Sequence, residues 1–387
     1  MVTEDNINKD PPEEDSKNVD TEDETERTFR CLSIISYFLV LVVLGIPVWW
    51  YTTRVYRAPL PLNEIGDLQL HPQNTTEFGI PLSLEYDILI SFINPDPKNL
   101  KVTVEPLEID AYLQENFVHK LAPVAQLHVK SQWLYLTELN INAAKINDHV
   151  PIYEHDLPYV ITPLETKLWT NVSPRPSINL VVYFSHSHAP LHIYHADNKS
   201  KLLSNSFISP RWGGVYIVNP TLQGDAHYEY KAHSKQIFRT FYTMLLELFK
   251  IESSKDASIT DFKIKKTHDM IESSKRTLKS LAQLLSEINS IVISDNVAEQ
   301  ITVALESVKM AEEFREKGDI DNALAYAKEA FKNSEEAFAH PSLLALLYFP
   351  DDQKYAIYIP LFLPVMIPVI MSLAQITKKK NPKLKTL

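Results

Sequence analysis

Four histidines, spaced closely within one short segment, are the residues of this chain whose type best suits metal chemistry. They are His186, His188, His192 and His195, and Asp197 is the carboxylate beside them. Imidazole is a common zinc ligand, and a His-x-His pair on a strand directs both rings to one face. The alternative is a strand followed by a loop, in which exposed histidines need no ligand. Because the segment lacks the remaining ligands of a zinc site, we predict no metal there.

Asp319 and Asp321 form an Asp-x-Asp pair, the pattern that holds a metal in sugar-nucleotide transferases. In those enzymes the pair ends a strand, whereas here the flanking residues predict two helices, and capping of the second helix explains both acids. The sequence also contains no glycine-rich phosphate loop, no G-x-S-x-G elbow and no HExxH motif. We therefore predict no catalytic, cofactor-binding or metal-ligating residues.

The single cysteine, Cys31, limits the thiol chemistry open to the chain. It begins the first apolar stretch, so the long region after that stretch has no thiol for a disulfide, a nucleophile or a thiolate ligand. That region must be held together by its own packed core. No basic stretch with interleaved aromatic residues is present, which argues against a nucleic-acid partner.

Two uncharged stretches, one near each end of the chain, predict single membrane-spanning helices at 31–53 and 355–377. About 20 helical residues cross a hydrocarbon core of about 30 Å, and the first stretch is too long for a signal peptide. The second contains Pro360, Pro364 and Pro368. Prolines at membrane depth leave backbone carbonyls that neighbouring helices satisfy, so we predict a partner-contact surface there, with a simple bent anchor as the alternative.

Charges beside these stretches predict the orientation of the chain. Lysines follow the second stretch directly, which indicates a cytosolic C-terminus, and two crossings then place the N-terminus in the cytosol as well. Residues 1–30 are predicted to be a disordered acidic tail, since the first 26 residues hold eleven carboxylates, and 378–387 a basic tail. Lys383 and Lys385 resemble a dilysine retrieval signal for the endoplasmic reticulum; a merely basic flank is the alternative.

The region between the two stretches, 54–354, is then lumenal. Three asparagines within it fit the N-x-S/T pattern and are candidates for N-glycosylation: Asn74, Asn171 and Asn198. A glycosylated lumenal domain would agree with the orientation that the flanking lysines predict.

The lumenal region is predicted to be α+β (mixed α/β) with a helical C-terminal half, flanked by the two single transmembrane helices. Residues 54–230 contain runs of β-branched and aromatic residues typical of strands, at 86–93, 102–104, 127–136, 178–184 and 215–218, and an amphipathic helix at 109–120. Residues 231–354 carry helical apolar stripes, the first of them in a helix at about 234–251.

Three further helices are predicted within 231–354. Each is predicted from apolar residues on one helix face. The first has Leu278, Leu281, Leu285 and Ile288, and the second has Ile301, Leu305, Val308 and Phe314 and ends near Gly318. The third buries Ala323, Ala327, Ala330, Phe331 and Phe338.

Two of the chain's seven glycines follow Arg211 and Trp212 directly. Paired glycines permit a tight turn between strands, with the Trp ring packed over it. The alternative is contact with a partner protein, because Trp and Arg are enriched at binding hot spots. We keep Arg211 and Trp212 as partner-contact candidates.

Three stretches of this sequence, at 46–61, 210–214 and 340–362, together resemble the PIG-S family. The first contains Trp49-Trp50 and Tyr56-Arg57-Ala58, the second is Pro-Arg-Trp-Gly-Gly, and the third begins His340-Pro341-Ser342-Leu343. The outer two stretches join each apolar stretch to the lumenal region.

The resemblance implies a non-catalytic scaffold subunit of the GPI transamidase complex, which acts in GPI-anchor biosynthesis at the endoplasmic reticulum membrane. It implies that the catalytic cysteine and histidine belong to another subunit. The expected partners are that subunit and the others of the complex, and membrane lipids, with the GPI lipid as a candidate. Two alternatives stay open from the residues alone, namely a lumenal glycan-modifying enzyme that uses Asp319 and Asp321, and a membrane-anchored chaperone.

Overall fold

The computed structural model describes Thr25 and residues 28–29, 31–54, 56–71, 79–139, 141, 145, 148–168, 173–195, 200–221, 229–252, 256–288, 291–344 and 351–379. The chain forms two compact units. The first comprises Met1–Pro59, Leu284–Ala298 and Ala339–Leu387, and the second comprises Leu60–Gln283 and Glu299–Phe338.

A five-stranded sheet lies at the centre of the second unit. Its strands are β1 (Glu85–Asn94), β3 (Gln126–Tyr135), β5 (Ser177–Phe184), β7 (Ser206–Ser209) and β8 (Gly213–Val218), in the spatial order β3-β1-β5-β8-β7. The first four in this order run parallel, and β7 is an antiparallel edge. Every predicted strand of the sheet is confirmed, because each is a β-branched or aromatic run of strand length.

Four short strands form two separate parallel pairs. Strand β2 (Lys101–Thr103) pairs with β9 (Glu229–Lys231), and β4 (Val150–Ile152) pairs with β6 (Leu191–Ile193). Of these, only β2 was predicted, from the β-branched run Val102–Val104. The other three lack such a run, because Pro151 interrupts β4, His192 interrupts β6, and β9 has Tyr230 between two charged residues.

Helices cover both faces of the sheet, as a parallel sheet requires. On one face, Val160, Leu164 and Leu168 of α4 (Leu157–Leu168) pack with Val181 and Tyr183 of β5. On the opposite face, Met244 of α5 (Ser234–Leu248) lies against Gly214 of β8.

Helix α3 (Pro106–Leu113) continues through a wider π-helical turn, Gln114–Val118, into His119–Leu121. It packs beside α5 (Ser234–Leu248), with the rings of Tyr112 and Phe238 5.2 Å apart. The short helix α2 (Leu62–Gly66) precedes the sheet.

The described part of 231–354 is helical, as predicted, and begins with α5. The helices that follow are α6 (Asp256–Glu287), α7 (Asp295–Glu316), α8 (Ile320–Phe338) and α9 (Pro341–Leu344). The predicted leucine stripe of α6 is buried at Leu278, Leu281 and Leu285. Gly318 takes a φ of +78°, the left-handed conformation expected just beyond a helix end.

The alanine stripe of α8 is buried at Ala323, Ala327 and Ala330, but the predicted burial of Phe338 is wrong. Phe338 is 45% exposed, because the stripe continues at three- and four-residue steps to Ser334 and Ala337 and so passes beside it.

The first unit contains the two terminal apolar helices. Helix α1 (Cys31–Tyr51) has 21 residues and is, by length and composition, able to cross a membrane. A wider π-helical turn, Leu39–Gly45, lies within it. Helix α10 spans Asp351–Lys379, but its described apolar part, Ala356–Ser372, falls short of a membrane-crossing length. Within the described residues, one helix is therefore long and apolar enough to cross a membrane, and both crossings stay proposals.

Candidate functional site

His186 and His188 lie in a tight turn rather than on a strand, so the expectation that both rings share one strand face is wrong. Strand β5 ends at Phe184, and the Ala189 N–H donates to the His186 carbonyl at 3.0 Å. The His186 ring lies 3.1 Å from Glu138 and 3.7 Å from Asp96. A hydrogen bond from Asn99, helped by His186, lowers the pKa of Asp96.

The other two histidines lie elsewhere. His192 is on β6, its ring 5.2 Å from that of His149, and burial lowers its pKa with help from Lys201 and His149. The His195 N–H donates to the Ser200 carbonyl at 3.0 Å. Within the described part of the chain, no three histidine, cysteine or carboxylate side chains are grouped as metal ligands.

The carboxyl edge of the sheet, where open α/β sheets usually bind ligands, is cross-linked by the protein's own polar groups. The order of the parallel strands reverses between β1 and β5. There the Asn94 amide donates to the Leu100 carbonyl at 2.8 Å, and the Ser185 hydroxyl to Asn219 at 2.7 Å. The Asn219 side chain also bonds both backbone groups of Leu191. These groups stabilise the loops of this edge.

Of the Asp-x-Asp pair, Asp319 caps a helix, as the sequence predicts, whereas Asp321 lies inside that helix and does not cap it. Asp319 precedes α8, and its carboxylate accepts from the Asn322 N–H at 3.2 Å and from the Asn322 amide at 2.6 Å. Asp321 is exposed and lies 3.3 Å from Lys263. The two acids therefore have structural partners of different kinds and do not share one site.

Arg211 and Trp212 form the predicted tight turn between β7 and β8. The Trp212 N–H donates to the Ser209 carbonyl at 3.2 Å, and Trp212 packs half-buried against the core. Arg211 is exposed and has a φ of +69°. Gly213 has a φ of +142°, and a Cβ placed there would lie 1.9 Å from the Asn179 carbonyl oxygen, so only glycine fits.

The segment that follows α1 is fixed by backbone and side-chain bonds within the first unit. The Ala58 N–H donates to the Ile293 carbonyl at 3.0 Å, and the Ile293 N–H to the Tyr56 carbonyl at 3.1 Å. The Arg57 guanidinium donates to the carbonyls of Leu285 and Ile288 at the end of α6. A guanidinium at a helix C-terminus satisfies carbonyls that have no helical partner.

This junction gives the Tyr-Arg-Ala part of the family-like motif a physical role. The Tyr56 hydroxyl also donates to Asp295 at the start of α7, over 2.6 Å. The three residues therefore tie the end of α1 to the loop between α6 and α7.

Pro360, Pro364 and Pro368 lie on one exposed side of α10, since residues four apart share a helix face. Tyr358 and Phe362 contact Trp49 of α1, with ring centroids 5.7 and 6.4 Å away. Each proline lacks an N–H, so the carbonyl four residues earlier has no helical hydrogen bond. This proline face of α10 offers acceptors at Ala356, Pro360 and Pro364.

Sequence reasoning did not single out Lys275, which is only 2% exposed. Its ammonium group donates to the Gln69 carbonyl at 3.0 Å, to Glu272 at 3.2 Å and to Glu312 at 2.6 Å. The sequence does contain a signal for this burial, because Lys275 lies at helical spacing between the apolar residues Ile271 and Leu278.

The candidates Asn74, Asn171, Asn198, Lys383 and Lys385 lie outside the described residues. Their predicted roles in glycosylation and retrieval stay predictions.

Comparison with known proteins identifies the family. The family model for "Phosphatidylinositol-glycan biosynthesis class S protein" (PIG-S) matches residues 36–85 and 73–383. Two proteins called "GPI-anchor transamidase component PIGS" are similar to this chain. The one from Rattus norvegicus is 35% identical over 319 residues, and the one from Homo sapiens is 34% identical over 320. Each match covers 76% of this chain and 57% of the relative.

A protein of Schizosaccharomyces pombe called "GPI transamidase component PIG-S homolog" is 29% identical over 304 residues, which are 74% of this chain and 52% of that protein. This chain thus spans little more than half the length of the relatives it matches. The family model nevertheless runs across both apolar helices, the junction after α1 and the lumenal candidate region. The chain belongs to the PIG-S family.

Proposed function

We propose that this chain is a non-catalytic subunit of GPI transamidase in the endoplasmic reticulum membrane, where it supports the attachment of GPI anchors to precursor proteins. The observation that carries this proposal is the family membership, since the relatives are named as components of that enzyme. In this proposal another subunit supplies the catalytic cysteine and histidine. The only cysteine of this chain, Cys31, lies in α1.

The proposed topology is double-pass, with both termini in the cytosol and residues 54–354 in the lumen. Helix α1 supports the first crossing, and the uncharged stretch 355–377 followed by lysines supports the second. The contacts of the Trp49 ring with Tyr358 and Phe362 support an arrangement in which α1 and α10 span the membrane side by side.

The proline face of α10 is the proposed membrane contact with other subunits. Its prolines are exposed and point away from the side that carries Tyr358 and Phe362. In lipid, a backbone carbonyl without its helical hydrogen bond requires another donor. A hydroxyl or amide of a neighbouring subunit's helix, or the head group of the GPI lipid, provides one. Arg211 and Trp212 stay a second, lumenal contact candidate.

Depletion of the chain tests the proposal. Cells without it should retain precursor proteins with an uncleaved C-terminal signal and should accumulate free anchor lipid. The wild-type chain should restore processing, and so should the variant Asp319→Asn/Asp321→Asn, because asparagine also caps helices. Normal anchoring after complete loss would contradict the proposal. Failure of the Asn variant alone, with its assembly intact, would favour the glycan-modifying enzyme instead.

A further inference from the structure

Strand β3 forms one edge of the five-stranded sheet, and its outer side carries backbone groups that have no partner in the described part of the chain. The Gln126 N–H donates inward, to the Leu84 carbonyl just before β1, at 2.8 Å. Backbone groups alternate in direction along a strand, so the even-numbered residues of β3 bond β1 and the odd-numbered residues face away. The outward-facing residues are Leu127, Val129, Ser131 and Trp133.

The two edges of this sheet differ in their protection against further strand pairing. Strand β7, at the other edge, has only four residues, and shortness is one natural protection of an edge. Strand β3 has ten residues in unbroken register with β1 and contains no proline. The charge of Lys130 at its centre is balanced by Asp87 of β1, 2.9 Å away. A long, regular edge is an aggregation site when it stays open, which indicates that a lasting partner covers it.

The side chains of β3 give the two faces of this edge different chemistry. On one face Trp133 stacks on Tyr135, with ring centroids 5.9 Å apart, and Tyr135 is 54% exposed. On the other face the Gln132 amide donates to the Ser91 hydroxyl at 2.9 Å. Pairs of aromatic and β-branched side chains on adjacent strands are favourable. A strand that suits this edge therefore alternates apolar residues, next to Val129 and Trp133, with polar residues next to Gln132.

We propose that the β3 edge, the outward-facing backbone of residues 127–133, binds an extended segment of another subunit, which adds a strand to the sheet. Main-chain hydrogen bonds to the outward-facing residues give the affinity, and the alternating side chains give the specificity. This inference rests on the proposed function, because it takes the partner from the complex to which we assign the chain. The need for a lasting cover favours a subunit over a precursor protein, which leaves after each reaction.

Proline at Ser131 tests the β3 edge without removing a bond to β1. The Ser131 N–H faces away from β1, and proline is tolerated on an edge strand at such a position. The measurement is mild-detergent purification from cells that lack the endogenous chain, followed by quantitative mass spectrometry. We expect Ser131→Pro to lower the recovery of at least one transamidase component about tenfold. The matched variant Ser131→Thr keeps the N–H and should retain that component.

Site-directed crosslinking provides a second measurement that does not depend on proline. Cys31→Ser/Ser131→Cys places the only thiol of the chain on the β3 edge, because Cys31 is the single natural cysteine. A thiol-reactive photocrosslinker on this thiol should join the chain to the component that Ser131→Pro loses. Thr166→Cys in the same Cys31→Ser background lies on the exposed side of α4 and should give no crosslink to that component. The crosslink decides alone if Ser131→Pro unfolds.

Failure of this inference is distinguishable from failure of the proposed function. A wild-type chain that brings down no transamidase component contradicts the proposed function, and the inference with it. If wild type and a folded Ser131→Pro bring down equal amounts of every component, and Ser131→Cys gives no crosslink, only the β3 edge proposal is overturned. Crosslinks confined to a second copy of this chain, or to a precursor protein, would overturn it as well.

Discussion

Replacement of Lys275 by methionine is expected to lower the free energy of unfolding by about 3–5 kcal/mol, the cost of breaking a buried ion pair from one side. The methionine fills similar space but removes the cation that Glu272 and Glu312 share, 3.2 and 2.6 Å away. It also removes the donor to the Gln69 carbonyl. Circular dichroism of the full chain in detergent should show a thermal midpoint lower by about 10 °C.

The pH dependence of this loss follows from Glu272. Burial alone would raise its pKa, but hydrogen bonds from His71 and Lys275 outweigh burial and lower the pKa from 4.5 to about 2. A lowered pKa stabilises the fold above pH 4.5, and that stabilisation is lost as the pH falls toward 2. Wild type and Lys275→Met should therefore differ most above pH 4.5 and converge below it.

Two matched variants make the Lys275 prediction specific. Lys279→Met, one turn farther along α6, removes the same charge from a half-buried position outside the network and should change the midpoint little. Glu272→Gln added to Lys275→Met should recover part of the loss, because it removes one of the stranded charges. Equal midpoints for Lys275→Met and Lys279→Met would show that the network contributes nothing to stability.

Replacement of Gly213 by alanine is expected to destabilise the sheet by about 3 kcal/mol or more. The new Cβ would lie 1.9 Å from the Asn179 carbonyl oxygen, and the φ of +142° suits no other residue type. Relief of the clash would require β8 to move away from β5, which breaks the bond from the Asn179 N–H to the Trp212 carbonyl. Thermal unfolding of the full chain in detergent measures this loss.

Glycines elsewhere provide graded controls. Gly66→Ala meets no atom within 4 Å and should leave the midpoint unchanged. Gly214→Ala should give an intermediate loss, because its Cβ would lie 2.5 Å from the Met244 sulfur, the end of a flexible side chain. If Gly213→Ala unfolds at the same temperature as Gly66→Ala, the assigned backbone constraint at this turn is incorrect.

The elements predicted from the sequence are those whose pattern is long enough to reveal a period. The runs that became β1, β3 and β5 were found within a few residues of their ends, whereas the leucine stripe from Leu278 marked only the C-terminal part of α6. Strands β4, β6, β7 and β9 were missed because none of them contains three consecutive β-branched or aromatic residues. The predicted burial of Phe338 was wrong because the buried stripe of α8 passes through the neighbouring Ala337 and leaves the Phe338 ring partly exposed.

The candidate functional residues also divide into those whose role depends on local sequence and those whose role depends on distant contacts. The turn at Arg211 to Gly214 and the cap at Asp319 were predicted because glycine pairs and capping acids act locally. The burial of Lys275 depends on contacts between residues far apart in sequence. Arg57 was noticed only as part of a motif, and its partners lie more than 200 residues away.

Purification of the full chain from its membrane in a mild detergent, with identification of the proteins that accompany it, distinguishes a transamidase subunit from an independent membrane protein. We expect a complex of fixed stoichiometry that contains other GPI transamidase components, among them one that carries the catalytic thiol. Recovery of this chain alone, under conditions in which a tagged transamidase component brings down a complete complex without it, would contradict its membership of that complex.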